Sequence, residues 1–529
     1  MSAAPAWDYL ILTASNSRQA EAYENQLGLR RERGRLQSIR NVLVVPDLDG
    51  RRVGSGGSTL FCLLEVLVRE RGRHPEATPE AILQGLRILI VHAGGDSRRL
   101  PAYGPCGKIF IPLPDDGSDP LPHTLFDRLM PQFLKLPAAS SGRGQIVVAA
   151  GDALLQFDAS SIRLHQPGIT VLAGYATPQE ASRHGVFCLG ASGEARLYLQ
   201  KPPEAVQRAE GAINESGQTA LDLGVMSLDA ESAAALLRIF GPSTESGRAR
   251  ILRYGLDLYR EICCAMGSNA TLDHYMRCAR SSGSGWPEEE LAAVYGGLRA
   301  ITFHIETARK CGFLHFGSTR QLIESGVALV SQDRGRPVDE GALVLNTAVS
   351  SKGKISGHPG WVEGCRISAP LVLSGRNAIV GVDVARALTL PPLACLDVLQ
   401  GSRRDGSPGW FVRCYGIEDT FKHTVEEGGC FCGRPLLEWL LAAGIDRGDV
   451  WPYAGDTPRS LWNARVFPCE ESPDGFRRWL WMYASENATA AEKAAYASAD
   501  RYSAEEIALY ADQPAFHTRR LETRSSLGR

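Results

Sequence analysis

The sequence predicts an α/β protein: an open, mostly parallel sheet with helices in its first part, then a β-helix-like domain, then a C-terminal helical segment. Three observations predict it. Apolar, strand-like runs alternate with helical stretches as far as about residue 315; short Val, Ile and Leu pairs broken by Gly, Ser and Asn take over from Phe316; and a Trp- and Ala-rich region with helical spacing begins near Val425. A chain of 529 residues holds roughly two to four domains of about 150 residues. The expected boundaries are 1–315, 316–424 and 425–529.

Asp8 to Thr13 reads as the first strand, and Ser15 or Asn16 is placed to cap a helix running to Leu27. A glycine-rich turn, GSGGST from Gly54, precedes Leu60, Leu63, Leu64 and Leu67, which share one helix face; its free N–H groups are expected to make an anion site. LRILIV, Leu86 to Val91, reads as a buried parallel strand. Gln145–Ala150, Gly168–Ala173 and Leu223–Leu228 follow as further strands. ALVLNTAVSSKGKISG and APLVLSGRNAIVG predict stacked coils, although no strict hexapeptide repeat can be counted. Near the end, Ser503 and Glu506 have capping-box spacing, Ile507 and Tyr510 continue an apolar face, and the last nine residues read as a frayed polar tail.

Lys and Arg total 57 against 59 Asp and Glu, so no net basic field is available to hold nucleic acid or an anionic membrane nonspecifically. Thirteen Cys scattered among apolar residues point to a reducing compartment and buried thiols, and no run approaches the length of a membrane span. A cytoplasmic protein without export or anchoring is expected. Cys430 and Cys432, in CFC, lack a second pair at zinc-finger spacing and read as buried thiols. Trp451, Trp462, Trp479 and Trp481 read as core or interface residues.

The most informative string is HAGGDSRRLPAYGPCGKIFI, His92 to Ile111. It places Gly94 and Gly95 at the carboxyl edge of a parallel strand, where glycine lets backbone approach a phosphate and where α/β folds bind ligands. Exposed N–H groups with Arg98, Arg99 and Lys108 would supply positive potential toward a polyphosphate. The alternative is a solvated Arg-Arg turn and a Lys at a strand edge.

The string resembles the signature Gly-Gly-x-Gly-x-Arg-Leu, then Pro and Lys, of sugar-1-phosphate nucleotidylyltransferases. With Ser97 in place of the third Gly and Arg98 before Arg99, it is closer to the fucose-1-phosphate guanylyltransferases, also called GDP-fucose pyrophosphorylases. Further islands resemble that family in the same order: TASN with the helix after it, GSGGST, HGVF with a downstream QKP, then LWNARVFP and RYSAEEI. The resemblance implies a Rossmann-like nucleotidyltransferase domain that moves GMP from GTP to L-fucose 1-phosphate, releasing pyrophosphate. Because the sugar phosphate brings its own nucleophile, catalysis reduces to positioning two anions and neutralising charge.

On that resemblance Arg99 and Lys108 act on the triphosphate as catalytic residues, one as a fork of donors and one as a point charge. Gly54, Gly56, Gly57, Ser58, Gly94, Gly95, Ser97 and Arg98 would bind nucleotide. Gly151-Asp152, after a strand, resembles the Gly-Asp that binds Mg²⁺; the alternative is an Asp capping a following helix. Gly185 and Lys201 would meet the sugar phosphate. Asp222 in LDLGV and Asp257 in YGLDLYREI are each left between a sugar hydroxyl, the metal and a helix cap. No Pro-x-x-x-Gly-Leu-Gly-Ser-Ser-type kinase loop occurs, so the chain reads as the transferase half of the bifunctional fucokinase/guanylyltransferases, with a separate fucokinase acting upstream. The competing readings are the same transfer on another sugar 1-phosphate or nucleotide, and a non-catalytic nucleotide-sugar-binding regulator.

Overall fold

The structure is a computed structural model that describes all residues except 1–5, 139–143, 165, 192, 309–310, 337–340, 453–454, 456 and 527–529. By its internal contacts the chain divides into two compact units, Met1–Gly95 with Arg128–Phe313, and Asp96–Asp127 with Leu314–Arg529.

In the first unit, β1 (Trp7–Ala14) and β3 (Arg87–His92) are apolar along their lengths and almost wholly buried, as parallel strands covered on both faces must be. They pair with each other, Leu10 opposite Leu89, while β2 (Ile39–Pro46) flanks β1 and β4 (Gln145–Ala150) flanks β3, all parallel. The remaining strands are β5 (Ala153–Phe157), β6 (Ile169–Ala176), β7 (Gly185–Leu189), β8 (Ala195–Gln200), β9 (Thr219–Leu228) and β10 (Phe303–Thr307). The nine-stranded sheet runs β10-β6-β9-β4-β3-β1-β2, with β7 and β8 branching from β9. β9 is antiparallel to β4 and β6, so the sheet is mixed. Asn16, rather than Ser15, caps α1 (Ser17–Glu32) through a bond from the Gln19 N–H, and the helix continues one turn past Leu27.

GSGGST is itself the first turn of α2 (Gly54–Arg71), and Leu60, Leu63 and Leu67 bury its apolar face in the core with Ile88, Ile90 and Val148. The glycines are needed because the backbone at Leu256 passes over this turn. A Cβ on Gly54, itself at φ +81, would lie 2.3 Å from the Leu256 carbonyl oxygen, and one on Gly56 would lie 2.8 Å from the Leu256 side chain.

The second unit contains three columns of short parallel strands. Leu343–Leu345, Gly360–Glu363, Asn377–Val380 and Ala394–Ser402 form one. Ala348–Val349, Arg366–Ile367 and Asp383–Val384 form the second; Lys354–Gly357, Pro370–Leu373 and Leu388–Leu390 form the third. Each pass of the chain adds one strand to each column. The side-chain alternation is that of a half-buried strand: Leu371 and Leu373 are buried while Pro370 and Val372 are exposed. Polar residues in this stretch satisfy backbone at the corners, as where the Asn377 amide donates to the carbonyls of Pro391 and Ala394 at 2.7 and 2.9 Å.

The first column continues without a break into antiparallel strands Pro408–Gly416, Phe467–Glu470 and Arg501–Tyr502, giving one seven-stranded sheet. The stretches 316–424 and 425–529 therefore share a sheet. The segment Asp96–Asp127 packs with them, although it lies far earlier in the chain. Of the expected core tryptophans, Trp451, Trp462 and Trp479 are buried and Trp481 is half-buried, stacked at 6.2 Å on Trp439, which meets Tyr496 edge-on at 5.9 Å. The capping box at Ser503 and Glu506 is present. The polar tail expected over the last nine residues is instead helical through Ser525, in the helix Gln513–Ser525, and only 527–529 lie outside the described residues. Arg524, inside that expected tail, and Arg520 just before it are both buried and ion-paired. No helix among the described residues is long and apolar enough to cross a membrane.

Candidate functional site

The chain leaves β1 toward β2 on one side and leaves β3 toward β4 on the other, so the strand order reverses between β1 and β3. Open α/β sheets form a ligand crevice at the carboxyl ends of such a pair. Gly94 and Gly95 follow β3 there, beside Ser15 at the end of β1. Gly95 is exposed, has φ +119, and nothing lies within 4 Å of where a Cβ would stand. The N–H groups expected to face a ligand are engaged: Gly94 N–H donates to Thr13 Oγ1 at 3.3 Å and Gly95 N–H to Ser15 Oγ at 2.8 Å. These two hydroxyls shape the loop; both lie in the TASN string, where Ser15 was read only as a possible helix cap.

At the start of α2 one of the expected donors is likewise engaged. Gly57 N–H donates to the Leu256 carbonyl at 3.0 Å, so it is not a free donor, and the close approach of Leu256 accounts for Gly54 and Gly56, as that of Ile251 and Val53 does for Gly57. Ser58 Oγ donates to Asp47 at 2.6 Å, and Ser55 Oγ donates to Asp257 at 3.2 Å. Asp257 accepts from the N–H groups of Tyr259 and Arg260 and is the N-cap of the next helical turn, Leu258–Cys263. Of its three readings, the cap is the one the geometry displays. Nearby, Thr59 Oγ1 lies 2.9 Å from Nε2 of His92, whose desolvated ring is pushed down to a pKa of about 4 and is neutral at physiological pH.

Gly185 opens β7 opposite β8, and a Cβ on it would lie 1.9 Å from the Tyr198 hydroxyl oxygen. The glycine thus makes room for a tyrosine rather than leaving bare backbone. Lys201 ends the hairpin, exposed and at φ +49, with its N–H on the His184 carbonyl. The Tyr198 hydroxyl donates to Asp222 at 3.2 Å, and the Tyr198 and Tyr259 rings stack at 6.3 Å. Burial raises the Tyr259 phenol pKa, and the charges of Asp222, Asp257 and Asp152 act in the same direction. Both tyrosines were missed because a Tyr in an apolar strand, as Tyr198 is, or in a helical turn, as Tyr259 is, looks like core.

Asp152 is half-buried and follows β4 after Gly151, and β5 begins at Ala153. No helix follows, which removes the cap alternative. Among the described residues no group of three or more His, Cys, Asp or Glu is arranged to hold a metal. The donor set therefore fits a hard divalent ion only in the manner of Mg²⁺ bound by one or two carboxylates, with water and substrate phosphate as the other ligands.

Burial pushes the Asp222 carboxyl up to about 6 from 3.8, against bonds from Gly224 N–H and Tyr198 that favour the charged form. Between those values the folded protein keeps a proton that the unfolded chain has released, so stability falls as pH rises through the window and stays reduced above it. Asp222→Asn should therefore stabilise the protein at pH 7.5 by roughly 1–3 kcal/mol and flatten that slope. Denaturant titrations from pH 4 to 8 check this, and parallel profiles for the two proteins would contradict it.

The remaining residues belong to the second unit. Ser97 is buried, sits at φ +53, and its Oγ has no hydrogen-bond partner; a non-glycine residue there is strained. Arg98 pairs with Asp96 at 3.0 Å and lies 5.4 Å from the Trp462 ring. Arg99 is exposed while its carbonyl accepts from Thr319 N–H at 3.0 Å. Lys108 heads a short turn, Lys108–Phe110, after Gly107 at φ +66; Ile109 and Phe110 are buried and Lys108 is half-exposed. All thirteen cysteines are unpaired; burial raises the Cys432 thiol pKa, and Cys430 is half-buried.

The fold and these residues define a mixed α/β protein that places glycines, cations and carboxylates after its strand ends and in the loops that follow. It belongs to the fucose pyrophosphorylase domain family, whose model matches residues 80–472. A bifunctional fucokinase/GDP-fucose pyrophosphorylase of Arabidopsis thaliana is 26% identical across 95% of this chain and 51% of its own length. An L-fucokinase/L-fucose-1-P guanylyltransferase of Bacteroides fragilis is 24% identical across 90% and 47%. A fucose-1-phosphate guanylyltransferase of Mus musculus is 25% identical across 87% and 83%. The chain thus spans about half the length of the two bifunctional relatives.

Proposed function

We propose that this protein transfers GMP from GTP to L-fucose 1-phosphate. A phosphate oxygen of the sugar attacks the α-phosphorus in line, the bond to the β-phosphate oxygen breaks, and GDP-L-fucose and pyrophosphate leave. The observation that carries the reading is the Gly94–Gly95 loop at the reversal of strand order between β1 and β3 in a chain of this family.

In this reading Arg99 and Lys108 neutralise charge developing on the triphosphate, and the glycine loop with Ser97 and Arg98 holds the nucleotide. Lys201 meets the sugar phosphate. Mg²⁺, held by Asp152, would supply charge neutralisation at the phosphates. A Rossmann-like domain with a β-helix-like domain beyond it is our reading of the nine-stranded sheet and the three parallel columns. The unpaired cysteines support work in the cytoplasm, where an upstream kinase would supply the sugar phosphate.

Pyrophosphate release measured over a grid of nucleoside triphosphates and sugar 1-phosphates tests the proposal, with GTP and L-fucose 1-phosphate expected to be the best pair. Missing hydrogen bonds to a sugar or base cost orders of magnitude, so the ranking should be steep. A different best pair would change the substrate. Nucleotide binding without turnover across the grid would make the protein a regulator.

A further inference from the structure

The segment that carries Arg99 and Lys108 is held from its own unit by a line of buried charged groups. Arg524, in the last turn of the helix Gln513–Ser525, forks onto Asp115 at 3.2 and 2.7 Å. It also donates to the Asp119 carbonyl at 2.6 Å and to Asn346 Oδ1 at 3.0 Å. One turn earlier, Arg520 meets Glu363 at 2.5 Å, and Glu363 also accepts from Asn346 at 3.1 Å and from the Tyr103 hydroxyl at 3.3 Å. Trp361 Nε1 donates to that same hydroxyl at 2.6 Å, and Arg413 donates to the Pro101 carbonyl at 2.7 Å. Lys108 lies between these attachments, with Pro101 and Tyr103 before it and Asp115 and Asp119 after it.

Burying two arginines and their carboxylates costs desolvation that apolar residues of similar volume would avoid, so such pairs add little net stability. A bidentate fork does fix direction, because both guanidinium edges must be satisfied at once. We propose that Arg524, through Asp115, is a positioning residue that holds the segment Asp96–Asp127 in the conformation presenting Arg99 and Lys108. This rests on the function proposed above. The clamp touches no substrate; it acts by restricting where the phosphate-binding groups can go, and a displacement of about 1 Å in such groups costs roughly a hundredfold in rate.

The test uses the full chain carrying Arg524→Gln, Asp115→Asn or both, with Arg465→Gln as a control that breaks a contact to Glu506 outside the segment. Each protein is assayed for kcat and KM well below its melting temperature, and hydrogen exchange is followed peptide by peptide. Each single variant should lose about 10- to 100-fold in kcat with KM within about threefold, and the double variant should be no worse than the singles, as for two halves of one contact. Exchange should quicken in 96–127 alone. The control should lose thermal stability and keep its kcat.

Unchanged kcat in the clamp variants of an active enzyme would overturn the inference, as would quickened exchange spread over the whole second unit. Should Arg524→Gln fail to fold, the near-isosteric Asp115→Asn decides the matter by the same readouts. An inactive parent protein would strike the proposed function instead, and an active parent with active variants would strike only the clamp.

Discussion

Replacing Lys108 by Ala should lower kcat/KM by roughly a hundredfold or more, the scale on which a single preorganised charge partner contributes to a transition state. The fold should survive. Lys108 is half-exposed at the head of its turn, and the burial there is carried by Ile109 and Phe110. A melting temperature close to that of the parent together with the rate loss would assign the loss to chemistry. Near-normal turnover would mean that the phosphate is bound elsewhere.

Asp152→Asn should separate activity from stability. Because β5 follows at once, the carboxylate caps no helix, and a neutral amide of the same shape binds a hard cation poorly. The Mg²⁺ concentration for half-maximal rate should rise, and the saturating rate should fall by about tenfold or more. The melting temperature in metal-free buffer should move little. An unaltered Mg²⁺ dependence with full rate would send the search for the metal site to Asp222 and Asp257.

The first unit was legible because β1, β3 and β4 carry central apolar runs and α1 carries a side-chain cap, so those strands fall within about a residue of where periodicity puts them. The columns of the second unit were legible in texture only, since strands of two to four residues leave no periodicity to count. Long-range partners were not legible at all. Arg524 reads as one more charge in a polar tail, and only the approach of Asp115 and Asn346, 409 and 178 residues earlier in the chain, turns it into a buried group. The glycines misled for a related reason. A glycine before a helix can expose donors or admit a neighbour; at Gly54 and Gly56 the neighbour is Leu256, and at Gly57 it is Ile251 and Val53. Asp222 was recognised as a candidate, yet its raised pKa depends on burial beside Tyr198, which spacing does not encode.

The membership of Asp96–Asp127 in the second unit bears on how this protein can be inherited and dissected. A crossover or cut near codon 315, where composition changes most plainly, would leave an upstream piece that contains those residues without Trp361, Glu363, Arg413 or Arg524. Such a piece would expose Tyr103 and strand the carboxylate of Asp115, and should be recovered mainly as aggregate. Any rearrangement of the gene would preserve folding only by moving both units together, as a single transmissible block.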